Sequence, residues 1–171
     1  MKTVVLGEPP IELAELLERR RKLGLDTHDE VWDGEYHMTP YAHTNHGIVQ
    51  AQVARIIEPL ASDAGMVATV GFNLGEATNF RVPDGGVHRG VPGTLYVPSA
   101  AVVVEVISPD DESYAKLPFY AASAVDEVWM VDPATRTVRI FVLRDSEYAE
   151  SGRSDVLDVE SSTVEDSINW P

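Results

Sequence analysis

Glu105 stands inside an apolar run, with Ala100-Ala101-Val102-Val103-Val104 before it and Val106-Ile107 after it. Such a run reads as a strand covered on both faces. A carboxylate there is costly to bury unless it is paired or holds a cation. A hard divalent cation wants several oxygen ligands, so a second acid is needed nearby. Asp84, 21 residues earlier, follows Pro83 at the end of another expected strand. The glycines after it, Gly85 and Gly86, let other backbone approach closely. Taken alone, Pro-Asp-Gly is an ordinary turn sequence. Joined with Glu105, it makes a carboxylate pair that could hold a metal.

A lysine at position 107 would share Glu105's face of the strand, because side chains alternate. It would complete Glu-x-Lys, an arrangement of metal and ammonium suited to phosphodiester hydrolysis. Position 107 is isoleucine instead. The nearest ammonium belongs to Lys116, eleven residues past Glu105 and the only lysine after Lys22. It falls on a helix that could fold back over the strand end, although a solvent-exposed helix lysine is the plainer reading. Tyr120, one turn later, shares that face and is more often a packing residue than a member of such a site. His46 at the start of another helix is open between local hydrogen bonds and a place in the site. His28, His37, His43 and His88 show no paired metal-ligand spacing, which argues against zinc.

Several elements must position these groups. A first helix is expected over Ile11–Leu23, with Leu13, Leu16 and Leu17 on one face and Gly24 as its C-cap. Its four bases, Arg19 to Lys22, suit the negative end of the helix dipole. Glu30–Met38 reads as a hairpin turning at Asp33-Gly34. A second helix is expected over about His46–Leu60, capped by Asn45. Strands follow at Met66–Gly71, Asn79–Pro83 and Ala100–Ile107. A helix is expected over about Asp111–Ser123, with Pro118 kinking it or separating its first turn. Glu127–Val131 and Thr137–Leu143 form a second hairpin, with Trp129 as core. The mixture of strands and helices places the chain in the α/β (α+β) class.

Composition narrows the possibilities. The 171 residues carry 28 acids against 13 bases, a net charge of −15, with an apolar fraction of 44% and no cysteine. That length predicts one domain, 1–171, with its core at about 28–144. The absence of cysteine excludes disulfides, a thiol nucleophile and thiolate metal sites. No apolar run reaches the roughly 18 residues needed to cross a bilayer, and Met1–Pro10 has no signal-peptide core. A soluble, cytoplasmic protein without membrane contact is the expectation. Residues 145–171 hold eight acids against Arg153, a net −7. They read as a solvated, loosely ordered acidic extension, with Ser154–Val159 as a candidate edge strand. Acidity of this degree opposes sequence-independent nucleic-acid binding, which needs clustered Lys and Arg.

The ordered combination of motifs is more specific than any one of them. Val82-Pro83-Asp84, Val103-Val104-Glu105-Val106-Ile107-Ser108-Pro109, Lys116-x-x-x-Tyr120 and Val125-Asp126-Glu127-Val128-Trp129-Met130-Val131-Asp132-Pro133 resemble the Uma-two family of putative restriction endonucleases. Trp32-Asp33-Gly34-Glu35 and His46-Gly47 match that family's N-terminal pattern. This resemblance implies a restriction-endonuclease-like fold of the PD-(D/E)XK superfamily, a mixed central sheet flanked by helices. It further implies that Asp84 and Glu105 are metal ligands and that Lys116 is the displaced catalytic lysine. Glu35 would be an additional acid near the metal, and His46 a nearby polar residue.

The implied chemistry is cleavage of DNA with Mg²⁺ or Mn²⁺ held by Asp84 and Glu105. Lys116 would position water and offset charge in the transition state. A homodimer is expected if both strands of a duplex are cut. Two other readings stay open: a silent nuclease-fold domain that binds a protein partner, and hydrolysis of a small phosphate ester. Given the net charge, DNA binding is expected to be weak without metal or partner.

Overall fold

The computed structural model describes residues 3–5 as backbone, and residues 11–39, 43–109 and 112–171. In chain order the N-terminal part comprises β1 (Thr3–Val5), α1 (Ile11–Lys22), β2 (Glu30–Trp32), β3 (Glu35–Met38) and α2 (Thr44–Asp63). Five strands follow: β4 (Val67–Val70), β5 (Asn73–Glu76), β6 (Asn79–Arg81), β7 (Gly85–His88) and β8 (Tyr96–Val97). Next come β9 (Val102–Val106), a 3₁₀ turn (Ser113–Lys116), α3 (Leu117–Ala122), β10 (Glu127–Asp132) and β11 (Thr137–Arg144). The chain continues through β12 (Glu147–Ser151), β13 (Arg153–Ser154), β14 (Val159–Glu160) and α4 (Ser161–Ser167).

Two six-stranded sheets result, ordered β1-β3-β2-β6-β5-β8 and β12-β11-β10-β9-β7-β4. The second is mixed. Its centre is the parallel pair β9–β10, with Glu105 opposite Met130, and β7 runs antiparallel on the other side of β9. A parallel pair needs a crossover connection, and the 3₁₀ turn with α3 supplies it.

The faces of this sheet are covered differently. Val102, Val104 and Val106 point into a cluster with Val49, Val53 and Ile57 of α2 and Val164 of α4. Val103 points the other way, toward Leu74, Tyr120 and Met130. All five β9 residues are buried, and each buried valine contributes about 1.5–3 kcal/mol. Close strand approach at the site depends on glycine: a Cβ on Gly86 would lie 2.6 Å from Phe72 Cε1 and 2.8 Å from the Val102 carbonyl oxygen.

Several expectations need correction. The 145–171 stretch is not loosely ordered: β12 pairs with β11, and Leu157, Val159, Val164 and Ile168 join the core. Most of its acids are exposed, Glu165 accepts from the Val138 N–H of β11, and the apolar residues between them close the sheet, which charge counting alone hides. Ser154–Val159 is not one strand; its ends, in β13 and β14, pair with each other. The crossover helix begins later than expected, because Pro118 occupies the first turn of α3 and the residues before it form the 3₁₀ turn. The expected helix start at Asp110-Asp111 lies outside the described residues. α2 begins at Thr44, where the His43 side chain rather than Asn45 caps it by accepting from the Asn45 N–H. No residue of α1 is buried, so its leucine stripe builds no core; Arg20 instead clamps the Asp29 carboxylate with both Nε and Nη2. The Asp33-Gly34 turn is as expected, with φ of 50° and 89°. Among the described residues, no helix is long and apolar enough to cross a membrane.

Candidate active site

Asp84 and Glu105 meet because β7 and β9 are antiparallel. Gly85 lies opposite Val104, so the residue before β7 arrives at the C-terminal end of β9. Asp84 Oδ2 accepts from the Val106 N–H at 2.8 Å, which fixes the loop acid to the strand carrying Glu105. The Asp84 main-chain carbonyl accepts from Gln50 Nε2 of α2 at 2.8 Å. His46, also on α2, places Nε2 2.8 Å from Asp84 Oδ1 and Nδ1 3.0 Å from Ser108 Oγ.

Glu105 points to the opposite sheet face from Val104 and Val106. Its Oε1 accepts from Lys116 Nζ at 2.9 Å and from the Tyr120 hydroxyl. Both donors come from the crossover, one from the 3₁₀ turn and one from α3, four residues apart. Lys116 Nζ also lies 2.8 Å from Glu30 Oε1 on β2. Glu30 accepts in addition from the Val82 N–H at 2.8 Å and from Trp32 Nε1 at 2.6 Å. Arg81 stacks beside this group, its guanidinium carbon 4.4 Å from the Trp32 ring centre and 4.0 Å from that of Phe119.

Burial dominates the electrostatics. It pushes the Glu105 carboxyl up to about 7; Lys116 opposes the push, and the charges of Asp84 and Glu30 add to it. Burial would lower Lys116, but Glu105 and Glu30 outweigh it, so its pKa is raised and the ammonium is a standing cation. Burial also works against the Glu30 carboxylate, yet Lys116 and the Val82 and Trp32 donors hold it below the usual carboxylate value. Tyr120 is driven well above its ordinary value by burial and by Glu105 and Glu30, so it remains a donor.

The structure thus gathers five of the six residues singled out from the sequence: Asp84, Glu105 and Lys116, with His46 on Asp84 and Tyr120 on Glu105. Glu35 is the exception. It is exposed at the first position of β3, beyond the Asp33-Gly34 turn, and the described contacts of the cluster do not include it. The acid at that place is Glu30, at the other end of the hairpin, only 3% exposed. Hairpin alternation could have found it: Glu30 and Trp32 share a strand face, and an acid beside a half-buried indole needs partners.

Glu127 is a useful contrast. It is fully buried in the strand next to Glu105, but its oxygens accept from the Asp155 and Val156 N–H groups, Ser154 Oγ and Trp129 Nε1. It anchors the C-terminal segment, and the described contacts bring it no cation.

The mixed sheet flanked by helices, with Glu105 on its central strand and Asp84 and Lys116 brought to it by the β6–β7 connection and the crossover, has the restriction-endonuclease-like fold, an α+β arrangement. Its geometry agrees with the crystal structure of a putative nuclease belonging to DUF820 from Anabaena variabilis ATCC 29413: TM-score 0.64, 14% identity, covering 81% of this chain and 90% of that one. The Uma2 family model, described as "Putative restriction endonuclease", matches residues 13–169. The chain belongs to the Uma2 family. No curated protein matches it.

Proposed function

We propose that this protein hydrolyses phosphodiester bonds of DNA as an endonuclease, using Mg²⁺ or Mn²⁺ held by Asp84 and Glu105. The observation that carries this reading is the convergence of Asp84, Glu105 and Lys116 at the end of β9. The donor set fits such an ion. Asp84 and Glu105 are hard oxygen donors brought to the end of β9, and the raised proton affinity of Glu105, set first by burial and then by the charges of Asp84 and Glu30, marks a place where a divalent cation would relieve the cost of its ionised form. Among the described residues no three acid or histidine side chains form a metal cage. That suits Mg²⁺, which takes one or two carboxylates and completes its shell with water and substrate phosphate.

When bound, such an ion polarises the phosphodiester and lowers the pKa of a coordinated water. Lys116 stays protonated beside Glu105 and Glu30, so it acts as donor and charge for the phosphoryl oxygens rather than as a base. His46 orients Asp84, and Tyr120 orients Glu105. The decisive experiment incubates purified protein with plasmid and single-stranded DNA in Mg²⁺, Mn²⁺ or EDTA, beside D84A. Metal-stimulated cleavage lost in D84A supports the reading; cleavage that is absent, or unchanged in D84A, ends it.

The surface favours a second reading, a nuclease-fold module that binds a protein. Arg89, Arg139, Arg144 and Arg153 are each paired with a neighbouring acid, leaving little basic surface for a duplex. A stoichiometric protein partner combined with no cleavage would support it.

A further inference from the structure

Lys116 is held by two carboxylates, and they differ in how firmly they are themselves held. Glu105 Oε1 receives Lys116 and Tyr120, and among the described residues its partners all lie on that one oxygen. Glu30 is bound at both oxygens: Oε1 receives Lys116 and the Val82 N–H, and Oε2 receives the Trp32 indole. The indole is fixed in turn by stacking with Arg81 and with His37, whose ring centre is 4.4 Å from that of Trp32. The Val82 N–H belongs to the strand exit that leads through Pro83 into Asp84.

We propose that Glu30 is the positioning residue for Lys116: it fixes the ammonium at the end of β9 independently of Glu105. Glu105 is then free to direct its charge toward another cation without releasing the lysine from its place. A lysine anchored only by Glu105 would lose its partner whenever that carboxylate turned away, and a four-carbon stem costs rotamer entropy to hold. With Glu30 behind it, the stem is already ordered. The chain of contacts Arg81–Trp32–Glu30–Lys116 carries this order from the N-terminal hairpin to the crossover. This assignment rests on the nuclease reading for its catalytic consequence but not for the anchoring itself.

The test compares E30Q, E30D and E105Q with the wild type by two readouts. The first is the ¹H–¹⁵N signal of the Lys116 ammonium, which is seen when the group is held and protected. The chain has only three lysines, Lys2, Lys22 and Lys116, so assignment is direct. The signal is expected to vanish in E30Q and to persist in E105Q. E30D keeps the charge but withdraws the carboxylate by one methylene; it is expected to weaken the signal and covers the case in which E30Q does not fold. The second readout is steady-state DNA cleavage, where E30Q is expected to lose roughly 10–100-fold in kcat with KM and Mn²⁺ affinity unchanged. A Lys116 signal that survives E30Q and E30D but disappears in E105Q overturns the proposal, as does a loss confined to KM. A wild-type protein that cleaves nothing ends the nuclease reading alone, since the ammonium signal still decides the anchoring.

Discussion

Lys116 reaches Glu105 from the far side of a crossover: Nζ lies 2.9 Å from Oε1 although eleven residues separate them. The strand position that would carry the ammonium, Ile107, instead packs partly buried against the cluster around Tyr120 and Met130. A cation moved from strand to crossover therefore reaches the same carboxylate, because the parallel β9–β10 pairing obliges the chain to return over the end of β9.

Removing that cation exposes the cost of the acids around it. K116M would leave Glu30 and Glu105 buried without the ammonium that both contact. Urea denaturation is expected to show a loss of about 3–5 kcal/mol, the usual penalty for breaking a buried pair from one side. A loss below about 1 kcal/mol would mean that the acids find other partners.

Glu105 also sets a pH dependence. Its folded value, about 7, stands above the ordinary 4.5, so between these limits the folded state binds more protons than the unfolded one. Its contribution to stability is therefore greatest below the lower limit and is lost as pH rises through the upper one. The groups facing it are Lys116, Tyr120, Glu30 and Asp84. Thermal melts of wild type and E105Q from pH 5 to 8 should diverge, with E105Q losing less stability as pH rises. Parallel curves would refute the assignment.

The buried acid that is not part of the site should behave differently. In E127Q an amide would present N–H groups to a ring of four donors. The expected cost is about 2–4 kcal/mol, together with faster proteolysis between Ser151 and Pro171. DNA cleavage per folded molecule should not change.

Substrate contact should be short-ranged. Four surface arginines are already paired with acids; Arg19, Arg55 and Arg136, which make no ion pair among the described residues, lie apart, on α1, on α2 and in the β10–β11 turn. Plotting log(1/KM) for oligonucleotides against log salt should give a slope between 0 and about −2, since each neutralised phosphate adds about −0.9. A slope steeper than about −4 would reveal a basic surface that forms on binding.

Much of this site is legible in the sequence because burying charge is expensive. Glu105 in a valine run and Asp84 before two glycines each pose a question that the other answers, and the rarity of lysine singles out Lys116. The same rule applied to Glu127 would have given a false ligand, because two of its four donors are main-chain N–H groups some 28 residues away, which leave no trace in residue type. Glu30 escaped for a related reason. Alternation puts Glu30 on the same face of β2 as Trp32, but that this face is the covered one follows from how β2 lies against β6, with Val31 opposite Phe80. The ordering of residues 145–171 was hidden by charge: the apolar positions are too widely spaced to show a period, yet they meet α2 from the far end of the chain.

That last packing has a consequence for the order of synthesis. Leu157, Val159, Val164 and Ile168 cover the sheet face shared with α2. On the ribosome, a nascent chain that has emerged only as far as β11 already contains α2 and the central strands, with their shared apolar face still open. Chaperone contact and premature self-association are concentrated in that interval, and it closes only when the stretch bearing much of the protein's negative charge emerges.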